Sequence, residues 1–241
     1  MKIKAQDLIT HIEKASVGGL INELVLDKDF QFVVTDDSKS ILSISNSANP
    51  NNDLGEIGLF DLGLVVKSIQ YVSGSIFNTD EELELAVVDN RLVFKKNENE
   101  FKFLLSNPKV ISSTVENITE TMKKLRSVVG VTFVLEKSIV ENLIKAIQLI
   151  VPEKIVIYVK DKKVLALVGK ETEHNAILCL TTLKEDSDLK VSMKPDYFLK
   201  VLQVLPIDSE VKVELRNSYP IIFTSKDYSF VVAPIQEEKA S

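Results

Sequence analysis

The chain contains the stretch Leu8-Ile9-Thr10-His11-Ile12-Glu13-Lys14-Ala15, and a second version of it follows as Ile139-Val140-Glu141-Asn142-Leu143-Ile144-Lys145-Ala146. Both versions place apolar residues at helical spacing and carry a lysine at the same position. Two more pairs lie at a similar spacing of roughly 130 residues: Val65–Gln70 with Phe198–Gln203, and Phe101–Leu105 with Tyr228–Val232. Self-similarity at one long period predicts that the chain is a duplicated domain.

Strand patterns dominate both halves and are interrupted by four short helical patterns. We expect helices near residues 5–15, 61–72, 136–148 and 195–204, each preceded by a strand-like stretch. About three strand-like runs follow each helix, and Asn and Asp supply turns between several of them. The predicted unit is therefore a strand, a helix and three strands, occurring twice in each half. This pattern predicts an α+β fold made of two similar domains.

The predicted domains are residues 1–108 and 128–241. The stretch 109–127 matches neither repeat, so we interpret it as an interdomain connector. Its pattern is compatible with an extended segment or with a short helix around Thr114–Leu125. Long connections inside compact proteins are often functional.

Composition limits the possible functions. The 241 residues carry a net charge of −6 and an estimated pI of 5.2, whereas an ordinary nucleic-acid-binding domain has a basic surplus. Any contact with DNA must therefore come from a local basic surface on an acidic body. No apolar run reaches the roughly 18 residues that span a bilayer, and the N-terminus lacks the pattern of a secretory signal. The single cysteine, Cys179, cannot pair within the chain, which favours a reducing cytosol, and we expect it to be a buried small hydrophobe.

The apolar stripes of the predicted helices are Leu8, Ile12 and Ala15, then Val65, Ile69 and Val72, then Ile139, Leu143 and Ala146, and finally Phe198, Leu202 and Leu205. One lysine in each helix follows a stripe residue by two positions. Because a helix turns ~100° per residue, two residues place the lysine about 200° away, opposite the buried stripe. Polar residues three positions away share the outward face, and such a surface would contact phosphates without reading sequence. For each lysine taken singly, the alternative is that it only keeps the helix soluble. The candidate DNA-binding residues are Lys14, Lys67, Lys145, Lys200, His11, Gln70, Asn142 and Gln203.

The sequence lacks the usual patterns of catalysis. Gly169-Lys170 is followed by Glu171, and the preceding spacing does not match a phosphate-binding loop. The chain has only two histidines and one cysteine, which are too few for a typical transition-metal site and make Cys-His catalysis improbable. We therefore expect a protein that is not an enzyme and that holds no cofactor and no metal.

Three segments resemble a known family. Tyr219-Pro220-Ile221-Ile222-Phe223, followed by Tyr228–Glu238 with its Ala233-Pro234 pair, is similar to the C-terminus of DNA sliding clamps of the proliferating-cell-nuclear-antigen type. Phe60-Asp61-Leu62, which leads into a lysine-bearing helix, is similar to the second helix of the T-even phage clamp. Asp36-Asp37-Ser38 resembles the family's Asp-Ser-Ser turn.

The resemblance implies a non-enzymatic DNA polymerase processivity factor. It implies a closed ring, usually a homotrimer, with helices lining the central hole and antiparallel sheets on the outside. Such a ring encircles duplex DNA without sequence preference and tethers a replicative DNA polymerase, and a separate ATP-dependent clamp loader opens it. The likeness to the T-even clamp favours a phage or viral source. The protein would then act in the host cytoplasm, or in the nucleus or at a replication site for a eukaryotic or viral source, with no membrane partner.

The resemblance also implies a pocket for short apolar peptides of partner proteins. The family builds it from the connector, the proline-led strand and the Ala-Pro segment, and exposed aliphatic side chains would grip the anchors of the peptide. Packing at the edge of a sheet is the alternative interpretation of each residue. The residues that match are Leu42, Val110, Ile111, Pro220, Val231, Ala233, Pro234 and Ile235.

Two rival functions remain at this point. A monomeric processivity factor of the same fold would hold DNA on one open basic face. An enzyme on an unrelated duplicated α+β scaffold would need clustered, buried carboxylates around a cleft, which the sequence does not indicate.

Overall fold

The computed structural model describes residues 1–47, 54–74, 81–115 and 117–235, and its elements repeat one order four times. The first half contains β1 (Lys2–Lys4), α1 (Ala5–Ser16), β2 (Glu23–Leu26), β3 (Val33–Thr35), β4 (Ile41–Ser45), β5 (Ile57–Phe60), α2 (Leu62–Ser73), β6 (Glu82–Val88), β7 (Arg91–Lys96) and β8 (Asn99–Leu104). The helix α3 (Ile118–Arg126) lies between the halves along the chain. The second half contains β9 (Val131–Leu135), α4 (Lys137–Ile150), β10 (Ile155–Lys160), β11 (Lys163–Gly169), β12 (Asn175–Thr182), β13 (Lys190–Met193), α5 (Pro195–Val204), β14 (Val211–Leu215), β15 (Ile221–Thr224) and β16 (Tyr228–Val232). The predicted α+β class and the order of strand, helix and three strands are confirmed.

The chain divides into two compact units. Unit 1 comprises residues 1–37 and 43–116, and unit 2 comprises residues 38–42 and 117–241. The predicted connector is divided between them, since residues 109–115 group with unit 1 and α3 groups with unit 2. The connector is neither wholly extended nor wholly helical. It contains a short 3₁₀ turn at Pro108–Val110, a single β-bridge from Thr114 to Val34, and α3.

Unit 1 contains two helices, two antiparallel sheets, and β3 with most of β4, which lie side by side. One sheet has the order β1-β6-β7-β8, and β2 pairs with β5 in the other. The helices α1 and α2 lie side by side, and α2 packs on β7 and β8. The predicted apolar stripes are buried, namely Leu8, Ile12 and Ala15 on α1, and Val65, Ile69 and Val72 on α2. Fully burying one valine, leucine or isoleucine side chain stabilises a fold by about 1.5–3 kcal/mol.

Both ends of α2 are fixed by side chains. The Asp61 carboxylate accepts a hydrogen bond from the Leu64 N–H at 3.0 Å, which is an N-cap that contributes about 1 kcal/mol. At the other end, the ammonium of Lys96 donates to the Ser73 carbonyl at 2.7 Å, where a positive charge suits the helix dipole. The helix then ends at Gly74, whose φ of 75° favours glycine. These contacts set the position of the outward-facing residues of α2.

Unit 2 has the same plan with a longer sheet. One sheet has the order β12-β11-β10-β13, and a second runs β16-β15-β14-β9, with the first residues of β4 beside β16. The helices α4 and α5 lie side by side, α4 on β11 and β12 and α5 on β16. Phe198 of α5 packs against Phe223 of β15 with ring centroids 6.0 Å apart. Buried Val213 pairs with Phe223 on this core-facing side of the sheet.

The helix α3 is attached to the opposite face of that sheet by charged side chains. Arg126 at its C-terminal end donates through Nε to Glu214 at 3.0 Å, and Glu214 points away from the face that carries Val213. Glu214 also accepts from Nη2 of Arg216 at 2.5 Å, and Arg216 donates through Nε to the Val128 carbonyl at 3.0 Å. Arg216 is buried, so the carboxylate of Glu214 offsets the cost of removing its charge from water.

Two expectations about burial are corrected. Cys179 is exposed rather than buried, because it lies on the outer strand β12, where alternate side chains point away from the helices. On α4 the buried residues are Val140, Leu143 and Ile147, whereas Ile139 and Ala146, which we expected in the stripe, are partly exposed. The stripe is therefore rotated by about one residue from its expected position, and it still leaves Lys145 on the opposite side.

Gly130, between α3 and β9, provides a test of the unit 2 fold. A Cβ at this position would lie 2.2 Å from the Leu215 carbonyl oxygen and 2.5 Å from Cγ of Arg216. We expect Gly130→Ala to destabilise the protein by about 1–3 kcal/mol, as overpacking does, in urea unfolding experiments. Gly63→Ala is the matched control, because Gly63 lies in α2 and its Cβ would have only an ordinary contact at 3.6 Å. That variant should be neutral or slightly stabilising, and equal effects of the two substitutions would contradict the described packing.

Candidate nucleic-acid interface and partner surface

The helices of unit 1 present two of the candidate lysines differently. Lys67 on α2 is exposed, whereas Lys14 in the last turn of α1 is partly buried. Burial lowers the pKa of Lys14, and the neighbouring Glu13 carboxylate partly opposes this shift. Gln70 is partly exposed on α2. Of the two lysines, Lys67 is the more accessible to a phosphate.

His11 does not share the exposed face on which the sequence placed it. Its ring stacks on Phe30 with centroids 5.3 Å apart and meets Phe32 edge-on at 4.9 Å. Burial lowers the pKa of His11 from 6.5 to about 4, and a hydrogen bond with the backbone of Phe30 opposes this only in part. The imidazole is therefore neutral at physiological pH and lends no charge to a DNA-binding surface, so we remove His11 from the candidate residues.

The helices of unit 2 expose most of their candidate residues. Asn142 and Lys145 on α4 are exposed, and so is Gln203 on α5, while Lys200 on α5 is partly exposed. Neither lysine forms an ion pair with the residues that the structure describes, and the same holds for Lys67 of unit 1. By contrast, Lys137 at the start of α4 is held by Asp208 at 2.8 Å. Lys67, Lys145 and Lys200 thus keep charges that a phosphate could neutralise.

Two aromatic side chains extend these helix faces and were missed from the sequence. Tyr71 is 68% exposed and follows Lys67 by four residues, so both lie on one face of α2. On α5, Lys194 lies over the ring of Tyr197, with Nζ 4.8 Å from the ring centroid. The signal for Tyr71 was present in the sequence as the i, i+4 spacing from Lys67. Lys194 is the N-cap residue just before α5, and it contacts Tyr197 in the first turn of that helix.

The candidate peptide-binding residues of unit 2 include the C-terminal segment 233–235, which is held by two backbone hydrogen bonds. The Ala233 N–H donates to the Ser40 carbonyl and the Ile235 N–H donates to the Ser192 carbonyl, each at 2.8 Å. These two bonds fix residues 233–235 to the loop before β4 and to β13. Within this unit, Val231 is buried, Leu42, Pro220, Ala233 and Pro234 are partly exposed, and Ile235 is exposed.

The two connector candidates lie in unit 1 and differ from each other. Val110 is 69% exposed at the end of the 3₁₀ turn, whereas Ile111 is buried. The side chain of Ile111 packs closely over Gly58. A Cβ added to Gly58 would lie 2.8 Å from Cδ1 of Ile111. Val110 is therefore the connector side chain that is available to a partner, and Ile111 is its anchor.

A further depression of about 510 Å³ lies on unit 2 along β10, β11 and β13. Val156 and Leu167 line its floor, and Lys154, Lys170 and Lys190 line its rim. Lys170 is paired with Glu153 at 3.1 Å and with Glu173 at 3.4 Å, so the rim carries both signs of charge.

The described ranges contain no group of three or more His, Cys, Asp or Glu side chains placed to hold a metal ion. Within the same ranges, no helix has the length and apolar character needed to cross a bilayer.

Comparisons with known proteins give a consistent fold. No protein-family model matches the chain, and no curated protein matches it in sequence. Among solved structures, it is similar to PCNA of A. fulgidus bound to the C-terminal region of FEN-1, with 15% identity, a TM-score of 0.73, and coverage of 99% of this chain and 98% of that one. PCNA of Thermococcus kodakaraensis matches with 15% identity, a TM-score of 0.70, and coverage of 97% and 98%.

A bacterial clamp matches over part of its length. The DNA polymerase sliding clamp of Pseudomonas aeruginosa shows 12% identity and a TM-score of 0.67 over 99% of this chain, which spans 65% of that clamp. Likeness at these identities shows the fold rather than the function.

The pH dependence of stability tests the environment of His11. Because its pKa falls on folding, the unfolded state binds more protons between pH 6.5 and about 4. The wild-type protein should therefore lose up to about 3 kcal/mol from this group as the pH falls through that window. We expect His11→Phe to lack this part of the loss in urea unfolding measured at a series of pH values. His174→Phe is the control, since His174 is exposed. Parallel pH profiles for the wild type and His11→Phe would contradict the described burial.

With the elements, the helix faces and the comparisons taken together, the chain has the fold of the DNA sliding clamps over nearly its whole length.

Proposed function

We propose that this protein is a DNA polymerase processivity factor, a sliding clamp that encircles duplex DNA and tethers replication proteins to it. The observation that carries the proposal is the match of both units, end to end, to the clamp fold. The exposed lysines on helices of an otherwise acidic chain support it, because a topological link needs only weak contacts with DNA. The proposal assigns no catalytic residue and no cofactor.

DNA contact in this proposal is electrostatic and independent of sequence. Lys67, Lys145 and Lys200 would neutralise phosphates, with Lys14 contributing less because it is partly buried. Gln70, Asn142 and Gln203 would donate hydrogen bonds to phosphate oxygens, which position a protein on the duplex without reading bases. The surrounding net charge of −6 opposes binding of DNA elsewhere on the molecule.

Assembly into a ring, as a homotrimer, would use strands that the single chain leaves open. β8 ends one sheet of unit 1 and β12 ends one sheet of unit 2. On β12, Ile177 is 58% exposed and Cys179 is exposed beside it, and on β8, Leu104 is exposed. Pairing of β8 of one copy with β12 of the next is a head-to-tail contact, and such contacts close into rings when the rotation allows it. It would also cover edges that otherwise invite aggregation.

Partner proteins would bind the peptide surface described above. The A. fulgidus clamp structure contains the C-terminal region of FEN-1, and we propose that peptides of this kind contact Leu42, Pro220 and the segment 233–235 of unit 2. Val110 of unit 1 is proposed as a separate candidate contact. The partners would be a replicative polymerase and an ATP-dependent clamp loader. The likeness of Phe60-Asp61-Leu62 to the phage clamp favours a phage or viral source, with action in the host cytoplasm.

The assembly state tests the ring directly. Light scattering should give a particle of three chains at micromolar concentration, and Cys179, the only cysteine, should react slowly with a thiol reagent in that particle. Ile177→Glu should yield monomers whose Cys179 reacts at least about tenfold faster, because a charge at a buried junction is costly. Val129→Glu is the matched control, since Val129 is 93% exposed and lies outside both edge strands. A stable wild-type monomer would favour a monomeric processivity factor with one open DNA-binding face.

The helix lysines are tested by charge removal. Replacing Lys14, Lys67, Lys145 and Lys200 with alanine should leave folding intact and weaken retention on circular duplex DNA and stimulation of the polymerase. If each lysine contacts one phosphate, the salt slope of binding should fall by about 0.9 per lysine. The matched control replaces Lys160, Lys162, Lys163 and Lys184, which are exposed on strand turns and carry the same total charge. Equal losses in both variants would show that net charge matters and the helix surface does not.

A further inference from the structure

We propose that Glu23 on β2 is a positioning residue that latches residues 106–115, the segment that leads into and begins the connector, onto the rest of unit 1 and so fixes where Val110 is presented. The consequence for partner binding rests on the sliding-clamp function proposed above. The latch itself does not depend on that function and can be measured separately.

One carboxylate oxygen of Glu23 gathers three donors from the connector. Oε1 accepts from the Ser112 N–H at 2.8 Å, from the Ser112 hydroxyl at 2.9 Å and from the Ser113 N–H at 3.2 Å. The Ser113 hydroxyl donates in turn to the Glu23 main-chain carbonyl at 2.8 Å. Hydrogen bonds to an ionised acceptor are stronger than neutral ones. Because the donors belong to two consecutive residues, they fix both the position and the rotation of the connector at this point.

The latch lies between two weaker attachments. Before it, the Ser106 N–H donates to the Gly58 carbonyl at 3.0 Å, and Ile111 packs over Gly58. After it, the Thr35 N–H donates to the Ser113 carbonyl at 2.8 Å, and the Val115 N–H donates to the Val33 carbonyl at 3.2 Å. These bonds form an isolated bridge rather than a ladder. A segment with so few backbone bonds belongs to the low-stability end of a protein unless a side chain holds it.

The position of the latch explains its role. Val110 is exposed and lies two residues before Ser112, and buried Ile111 lies directly between them. With the connector latched, Val110 is held on a short segment fixed at both ends, which lowers the ordering cost for any partner that contacts it. Without the contact to Glu23, the same segment would have to become ordered in each binding event. Glu23 therefore preorganises the exposed part of the connector.

The experiment measures amide hydrogen exchange of the full chain together with peptide binding. In Glu23→Ala, the amides of residues 112–115 should exchange about tenfold faster or more, while α1 and β7 stay protected. Glu23→Gln, which keeps an acceptor oxygen, should restore part of the protection. The matched control is Glu98→Ala, which removes the same charge from an exposed turn. Unchanged exchange at residues 112–115 in Glu23→Ala would overturn the proposal.

A second pair of variants covers the case in which Glu23→Ala unfolds unit 1. Ser112→Asp places a second carboxylate against Glu23 and should release the connector, whereas Ser112→Ala removes only one of three donors and should not. Equal protection in these two variants would also overturn the latch.

The peptide arm uses a synthetic peptide of the FEN-1 C-terminal region. Its affinity should fall several-fold in Glu23→Ala and stay unchanged in Glu98→Ala. If exchange responds as expected but the wild type binds no peptide, the latch stands and the partner-binding part of the proposed function fails. If the wild type binds and Glu23→Ala binds equally well despite faster exchange, the positioning role is refuted.

Discussion

The structure depends on one constraint, which is that each long helix must bury an apolar stripe in the core of its unit. Each helix of 10 to 14 residues buries three to six of them, most of them apolar, and this leaves the opposite face in water. Residues opposite the stripe are therefore displayed by the packing itself, unless another segment covers them as Phe30 and Phe32 cover His11. Lys67 and Lys145 are exposed for this reason, and no further interaction is needed to aim them. The same constraint fixes the rotation of each helix, so a stripe that shifts by one residue, as on α4, changes which polar neighbours are fully exposed.

The sheets follow from the complementary constraint that strands with one apolar face need a covering layer and paired edges. In each unit the helices cover one face, and the strand order leaves β8 and β12 at the ends of their sheets. Their side chains have the alternation of an inner strand, but half of them are accessible, as Ile177 and Cys179 show. In a single copy of the chain, such an edge strand exposes apolar side chains and unpaired backbone groups to water. The proposed ring would cover these two edges.

The sequence predicted the features that depend on local pattern and missed those that depend on distant partners. The order of strand, helix and three strands was predicted because alternation, helical spacing and turn residues are all local. His11 was misplaced because Phe30 and Phe32, which cover it, approach from outside the helix and leave no mark on its periodicity. Cys179 was misplaced because an edge strand and an inner strand have the same pattern. The path of the connector was left open because its main attachment, Glu23, lies 89 residues from Ser112 along the chain.

The low identity to the matching clamps is consistent with this division. The sequence identity to these clamps is 12 to 15%, with TM-scores of 0.67 to 0.73. Such a likeness requires only that the pattern of apolar and polar residues is kept. Strand alternation, a helix cap such as Asp61 and an apolar stripe on each helix can each be formed by many different residues. Contacts such as Glu23 with Ser112, or Arg126 with Glu214, are individual solutions built on that pattern. Each attaches a different part of the connector, the first to unit 1 and the second to unit 2, and each uses an ionised side chain where backbone pairing is sparse. Buried Ile111 and Met122 anchor the two parts of the connector, and these charged contacts fix its path locally. The segment that we propose meets partners is therefore positioned by individual side chains rather than by the ladders that build the sheets.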